Sequence, residues 1–498
     1  MAAGVVGLRV ASRQELPHER LMGDKTTESA GAAPLTHREI LLIVIGILLA
    51  MLLAALDQTI VVTAMPTIGR ELGNVAYLPW VVTAYLLAST AVTPLYGKVS
   101  DIVGRRKTLL FAICVFTLGS VACALSPSMI VLIVSRALQG LGGGGLISLA
   151  QTIIADIVSP RERPRYQIYV AGVFVTSSVA GPLLGGVLAE HAHWSVIFWL
   201  NLPMGIMAFL MTNGLLKKLP RHERPHQLDF LGAALMVAAT VSLMLALNWG
   251  GHQYGWTSSV IVGLLVLSVV AWVLFVLRLR TALEPFIPTE VLRNEVVTYG
   301  VLTATMAMGT FIGVTAYLPI YMERAYGLSS SNSGLALIPF MVGTVTGATL
   351  ASRSMASVAH YKRWPMVGLG IAALGLGVIA LMPAGVPLWA LEVLLPCISI
   401  GLGSILPTTT VAIQNAVLPH QMGTATGTMN FFRSLGGALL VAGFGAILFV
   451  QLQEGNEVSA FRPVFGVAAA AMALALAFFW HMPEKPLRSK VHGAEAME

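Results

Sequence analysis

The chain has 498 residues, 56% of them hydrophobic and only 11% charged, with a net charge of +7 and a mean hydropathy of +0.79. Soluble domains carry roughly 25% charged residues, so a soluble fold, a disordered chain, a coiled coil and a nucleic-acid-binding protein are excluded as whole-chain readings. Cys114, Cys123 and Cys397 all lie inside apolar runs, where a thiol behaves as a small hydrophobe and supports no disulfide framework.

A helix that crosses ~30 Å of hydrocarbon needs about 20 residues. The first segment, 1–38, is polar, reads as a disordered tail and is too polar for a signal peptide. Fourteen apolar runs follow, at 40–66, 78–97, 107–126, 129–153, 168–188, 195–216, 228–248, 258–278, 297–321, 334–354, 365–382, 388–416, 423–450 and 463–481. Charge placement supports that count independently. With the N-terminus inside, 25 of the 30 Lys and Arg fall in alternate loops and the two tails, as the positive-inside rule requires. Only Arg70, Arg324 and Arg462 fall outside, and Arg136 and Arg433 lie within spans. The sequence therefore predicts an all-α polytopic membrane protein of fourteen spans, with both termini cytoplasmic.

The loop from Gly97 to Lys107 joins spans 2 and 3, and the loop from Arg353 to Arg363 joins spans 10 and 11 in a similar way. If spans 7 and 8 are an inserted pair, spans 9–14 repeat spans 1–6. The expected domains are a tail at 1–38, a six-helix half at 39–220, inserted helices at 221–284, a second half at 285–482 and a tail at 483–498. Repeated six-helix halves build many secondary transporters, whose site lies between the halves near the midplane.

Six motifs follow in chain order. Span 1 carries Leu56-Asp57-Gln58-Thr59-Ile60 and ends at Pro66. The loop after span 2 carries Gly97, Asp101, Gly104, Arg105 and Arg106. Span 4 has Arg136, Gln139 and Gly140, and span 5 ends with Gly181, Pro182, Gly185 and Gly186. Span 6 opens with Trp194, Phe198, Trp199, Asn201 and Pro203. Span 13 carries Gly423, Gly427, Phe432, Arg433, Gly436 and Gly437. On these residues the chain resembles the major facilitator superfamily, and within it the fourteen-span drug:proton antiporters. The loop 97–107 is similar to that family's motif A, residues 136–140 to motif B and residues 181–186 to motif C, which is associated with antiporters. Thr63 stands where Asn is more usual, and Ser195 where Arg is frequent. The resemblance implies a multidrug efflux transporter with no cofactor.

Of the 23 acidic residues only Asp57 lies well inside a span, and an intramembrane charge costs roughly 2.5–3.5 kcal/mol on insertion scales. Counted along the helical rise from the outer ends, Asp57 lies ~13 Å deep and Arg136 ~12 Å deep. Acid and base at one depth form an ion pair. Such a pair either fixes helix packing permanently or acts as a proton switch, because a carboxylate that loses its cation or its water takes up a proton more readily. The resemblance to motifs with a proton-coupling role favours the switch.

Arg433 has no acid at its depth, and two roles are open to it: a cavity-facing site for a substrate anion, or a structural arginine bonded to carbonyls. In motif A, Asp101 is expected at the N-terminus of span 13, with Arg105 and Arg106 reaching nearby carboxylates or carbonyls. Two readings stand for these residues: a latch which holds the cytoplasmic side shut, and, for 105–107, charges that only set the topology. In motif C, Pro182 is expected to bend span 5 while the glycines offer a smooth face to the opposite half. Aromatic cavity-wall candidates are Tyr85, Phe174, Trp199, Phe311, Phe340, Phe431 and Phe432, with Met306 and Met308.

Gly140 to Gly145 matches a dinucleotide-binding pattern formally, but it follows no strand and lies in an apolar run. There is no nucleotide-hydrolysing P-loop pattern, and His191 and His193 are too isolated to suggest a metal site. The expected partners are protons, small hydrophobic substrates and the lipid bilayer, with no nucleic acid, for a protein of the inner membrane that is a monomer, alone or with envelope partners. Export of drugs and export of one endogenous metabolite or lipid are both compatible with the residues. A membrane enzyme is not, because one Asp with one Arg is too sparse a constellation.

Overall fold

The computed structural model describes residues 37–74, 77–218, 229–251, 253–282, 284–357, 360–453 and 458–488. The tail expected at 1–38 therefore lies almost wholly outside the described residues. So do the boundary placed at 220/221 and most of the tail expected at 483–498.

The described residues form helices and no strand. They are α1 (His37–Leu72), α2 (Pro79–Val103), α3 (Arg105–Ala124), α4 (Met129–Ile157), α5 (Arg163–His191), α6 (Val196–Trp199), α7 (Asn201–Leu215), α8 (Phe230–Trp249) and α9 (Ser259–Thr281). Then come α10 (Thr289–Arg293), α11 (Glu295–Tyr326), α12 (Ser330–Leu335), α13 (Ile338–Ser357), α14 (Arg363–Leu381), α15 (Leu388–Ala416), α16 (Met422–Gln453) and α17 (Phe461–His481).

Local chemistry sets many of the ends. Ser128, Asp229, Ser258 and Asn294 cap α4, α8, α9 and α11 with side-chain oxygens that accept backbone N–H groups. Gly327, at φ +65°, closes α11 in the left-handed conformation. Gly104 stands at φ +98° in the corner between α2 and α3, where a side chain would be strained. Two expected spans are broken. α6 stops at Trp199 and α12 at Leu335, because Pro203 and Pro339 lie four residues further on and have no N–H to donate back.

Among the described residues thirteen helical stretches are long and apolar enough to cross a membrane, against fourteen runs in the sequence. The one that falls short is α2. Its 25 residues are enough, but Thr83, Ser89, Thr90 and Thr93 dilute it, and it ends in Lys98 and Asp101.

Packing repeats along the chain. In the first half α1 packs on α5 and α7, α2 on α4, and α3 on α4 and α7. In the second half α11 packs on α16 and α17, α13 on α15, and α14 on α15 and α17. The pairings match one for one, which makes the chain two copies of one six-helix unit, with α6–α7 and α12–α13 each counted as one member. Helices α8 and α9 pack on each other, and α8 reaches α2 and α16. The outer side of α9 is a stripe of exposed valine and leucine, including Val262, Val266, Val269 and Val273. An unpaired apolar face of this kind belongs against lipid. This is a multi-pass membrane protein.

Around α4 the backbones approach closely. A Cβ at Gly140 would stand 2.5 Å from the Tyr85 carbonyl oxygen, one at Gly142 2.3 Å from the Phe116 nitrogen, and one at Gly144 2.3 Å from the Ser89 carbonyl oxygen. The glycine run of α4 thus seats α2 on one side and α3 on the other, as small residues do in lipid.

The halves meet mainly through α2 with α16 and through α5 with α13. Every side-chain hydrogen bond described between them lies toward the end where α2 stops and α16 begins. These bonds involve Asp101 and Gln151 on one side and Gln414, Gly423, Thr424 and Asn430 on the other. That end also carries Lys98, Arg105, Arg106, Lys362 and Arg363 and is called the basic end below. At the far end of α5, Gly181 and Gly185 are buried while Pro182, Leu183, Leu184 and Val187 are exposed. There the helix is covered on one side only.

Candidate functional site

Asp57 in the middle of α1 is 0% exposed, and it is fully engaged. Its Oδ2 accepts from Arg136 Nη1 at 2.5 Å, and its Oδ1 accepts from Gln139 Nε2 and Asn201 Nδ2, both at 2.8 Å. Arg136 also donates through Nε to the Val81 carbonyl at 3.0 Å and through Nη1 to Gln139 Oε1 at 2.6 Å. Its guanidinium carbon lies 4.4 Å from the centre of the Tyr85 ring, a cation–π arrangement. Asn201 donates in addition to Ser120 Oγ at 2.9 Å, and Ser120 donates to the Phe198 carbonyl at 2.9 Å. Six helices, α1, α2, α3, α4, α6 and α7, are thereby tied to one carboxylate. Burial of a charge is tolerated in such a place only when it is paired and hydrogen-bonded, and here both carboxylate oxygens are bonded.

A second polar site lies at the basic end. Asp101 Oδ1 accepts from the Gly423 N–H at 3.0 Å, and Oδ2 accepts from the Thr424 N–H at 2.8 Å and Thr424 Oγ1 at 2.7 Å. A carboxylate of the first half therefore caps the N-terminus of a helix of the second. Arg105 bridges two acids, with Nη1 on Asp101 and Nε on Asp156 Oδ2 at 2.7 Å. Arg106 donates to the Asn213 side chain and, at 3.2 Å, to the Asn213 carbonyl. Beside this cap the two backbones touch: a Cβ on Gly97 would lie 2.3 Å from the Gly423 carbonyl oxygen and 3.3 Å from the Gly427 Cα.

Motif C points elsewhere than expected. A Cβ on Gly181 would meet Thr59 Oγ1 at 1.9 Å, and one on Gly185 would meet Thr63 Oγ1 at 2.1 Å. Spaced one helical turn apart, both glycines face α1 of their own half rather than the opposite half, and Thr59 Oγ1 donates to the Ser177 carbonyl across the same seam at 2.8 Å. Pro182 lies inside α5 on its exposed side, and a Cβ on Gly186 would meet nothing within 4 Å.

The aromatic candidates divide. Phe174 and Trp199 are partly exposed, and Phe311 and Phe432 are partly buried. Tyr85 is buried under Arg136. Phe340 is buried against Phe311, with ring centres 5.7 Å apart, and Phe431 is buried between Phe432 and Trp272 of α9. Arg433 is buried, and its Nη2 donates to the Leu406 carbonyl, Thr409 Oγ1 and Thr410 Oγ1 at 2.9–3.0 Å. Of its two expected roles the bonding pattern is the structural one. No cluster of three metal-ligating side chains occurs among the described residues.

Asn201, Ser120, Asp156, Asn213 and Thr424 carried no expected role. The available signal for Asn201 was an uncharged amide in an otherwise apolar span, which needs a partner in lipid as a charge does.

Residues 47–229 and 215–441 match the family model described as Major Facilitator Superfamily. An uncharacterised MFS-type transporter of Mycobacterium tuberculosis (strain H37Rv) is 34% identical over 409 residues, 82% of this chain and 59% of its own. The chain thus spans about three fifths of that relative's length. Multidrug resistance protein 3 of Bacillus subtilis is 34% identical over 406 residues, covering 81% of this chain and 79% of its own, and the multidrug transporter protein MdtP of the same organism is 31% identical over 417 residues, covering 83% and 76%. Among solved structures, that of the human organic anion transporter MFSD10 aligns with a TM-score of 0.65 at 18% identity, covering 88% of this chain and 99% of that one. The proton:xylose symporter XylE aligns with a TM-score of 0.63 at 16% identity, covering 92% and 99%. At these identities the two structures speak to fold alone.

Proposed function

The chain belongs to the Major Facilitator Superfamily, and on that premise we propose that it is a proton-coupled antiporter exporting hydrophobic or cationic drugs and toxic compounds across the cytoplasmic membrane by alternating access. The observation that carries the reading is Asp57, a fully buried carboxylate on which three donors from two other helices converge. Relatives named as multidrug transporters supply the substrate class. The positive-inside rule supports placing the basic end in the cytoplasm, with both termini there and α2 counted as the fourteenth span.

In this reading the structure is closed to the cytoplasm and parted toward the outside. A proton arriving from outside neutralises Asp57, so that Arg136, Gln139 and Asn201 lose the charge they converge on, and α1 loosens from α4 and α7. Arg136 keeps Val81, Gln139 and the Tyr85 ring but loses its anion, and the cost of that unpaired buried charge favours rearrangement. The same helix, α4, carries Asp156 twenty residues further on, about 30 Å along the axis, where Arg105 ties it to Asp101. Movement of α4 is thereby transmitted to the cap on α16, which must open for substrate to enter from the cytoplasm. Partly exposed aromatic rings, Phe174 and Trp199 among them, hold flat apolar cargo without strict hydrogen-bond geometry.

The test is efflux of a fluorescent cationic dye from cells that express the protein, with and without an uncoupler. Efflux that stops on uncoupling supports proton-driven export. Efflux indifferent to the uncoupler, or absent for every dye and drug in a broad panel, contradicts it, and a single metabolite as the only exported compound would move the reading to a dedicated exporter.

A further inference from the structure

Two seams join the halves, and the repeat makes them equivalents: α2 against α16, and α13 against α5. At the first, the last turns of α2 supply Asp101 to the start of α16. At the second, the last turns of α13 read Ser352-Arg353-Ser354-Met355-Ala356-Ser357, with no acid, and the start of α5 reads Arg163-Pro164-Arg165. Instead of a carboxylate, a cleft of about 310 Å³ opens there, lined by Arg165, Ile168, Ser352, Arg353, Ala356 and Ser357. Arg165 and Arg353 are exposed, and neither has a carboxylate within ion-pair distance among the described residues. Ser352 in the cleft wall is 1% exposed, yet its hydroxyl has no hydrogen-bond partner. The buried Ser354 hydroxyl and the Gln167 amide nitrogen, on the same two helix ends, also lack partners.

Two cations brought together across a seam repel, and a buried hydroxyl with nothing to bond is costly. One ligand resolves both. We propose that this cleft binds a phosphate-bearing anion, held by the Arg165 and Arg353 guanidiniums with the Ser352 hydroxyl as a further donor. Guanidinium forks match phosphate oxygens in geometry as well as charge. The bound anion takes, between α13 and α5, the place that the Asp101 carboxylate takes between α2 and α16. Its source is either the headgroup of an acidic phospholipid, whose leaflet borders a basic membrane-facing cleft, or free phosphate.

The full chain in a neutral detergent is titrated with short-chain phosphatidylglycerol, with inorganic phosphate and with short-chain phosphatidylcholine. Binding is read by native mass spectrometry and by the shift in thermal midpoint, neither of which depends on transport. Wild type is expected to retain phosphatidylglycerol, or phosphate, in preference to phosphatidylcholine. Each of Arg165→Gln and Arg353→Gln should weaken that binding about tenfold, and 0.5 M NaCl should weaken it in the unmutated protein. Retention of phosphatidylglycerol alone identifies a lipid site, and displacement of the lipid by phosphate identifies a soluble anion. Equal retention of acidic and zwitterionic lipid with no response to phosphate, or binding unchanged in the double variant and in high salt, overturns the proposal. Because both arginines are exposed, loss of folding does not obscure the variants, and the salt arm needs no variant. A protein that binds the anion but fails to export dye leaves this site standing and removes only the transport reading.

Discussion

Asp101→Asn should shift the protein away from the state closed at the basic end. The carboxylate side chain is 5% exposed and takes three hydrogen bonds from the first residues of α16, at 2.7–3.0 Å. It also holds Arg105. An amide has the same shape but offers one acceptor oxygen in place of two, turns an NH2 group toward backbone N–H donors and removes the charge that complements the helix N-terminus. Bonds to a charged partner contribute roughly 1.5–3 kcal/mol each, and a partly buried helix-terminus charge up to ~2. If the amide recovers part of this, the net loss is about 2 kcal/mol, or roughly 30-fold in the ratio of closed to open protein. Val103 at the end of α2 and Leu418 just before α16 are 45% and 48% exposed and suit a pair of spin labels, with Cys114, Cys123 and Cys397 replaced by alanine. Pulsed electron resonance should show one short distance in the parent and a second, longer population in Asp101→Asn, with dye affinity in detergent little changed. An unaltered distance distribution, or a large loss of affinity without a new population, would refute the latch.

Gly97→Ala should open the same seam by steric force, because the new methyl has nowhere to go against the Gly423 carbonyl oxygen at 2.3 Å. Overpacking costs roughly 1–3 kcal/mol, and the same spin-label pair reads it as growth of the longer distance. Gly181→Val acts instead within one half: its Cβ would collide with Thr59 at 1.9 Å, so the thermal midpoint should fall while the Val103–Leu418 distances stay as in the parent. A widened seam in Gly181→Val would contradict the placement of that glycine against α1.

Much of this was legible in the sequence for a physical reason. A charge inside an apolar run stands out, and helical rise alone placed Asp57 and Arg136 at one level, so their pairing needed no coordinates. The repeat of the two basic loops led to Asp101 at the start of span 13 by simple correspondence. What stayed hidden depended on azimuth and neighbourhood. Small residues at 181 and 185 announce a close approach but not which helix approaches, and they face α1. Asn201 carries no charge and so gave no alarm, although it completes the Asp57 cluster. Aromatic side chains in spans look alike whether they line a cavity, for which all seven were candidates, or are buried in packing like Phe340 and Phe431.

The central claim is that Asp57 couples proton entry to export, and purified protein in liposomes with an imposed pH gradient tests it most directly. Asp57→Asn keeps an oxygen for Gln139 and Asn201 but can neither carry a charge for Arg136 nor take up a proton. The account predicts that this variant no longer concentrates substrate against its gradient while downhill exchange survives. Uphill accumulation by Asp57→Asn at the wild-type rate would contradict it and leave Asp57 a structural ion-pair partner.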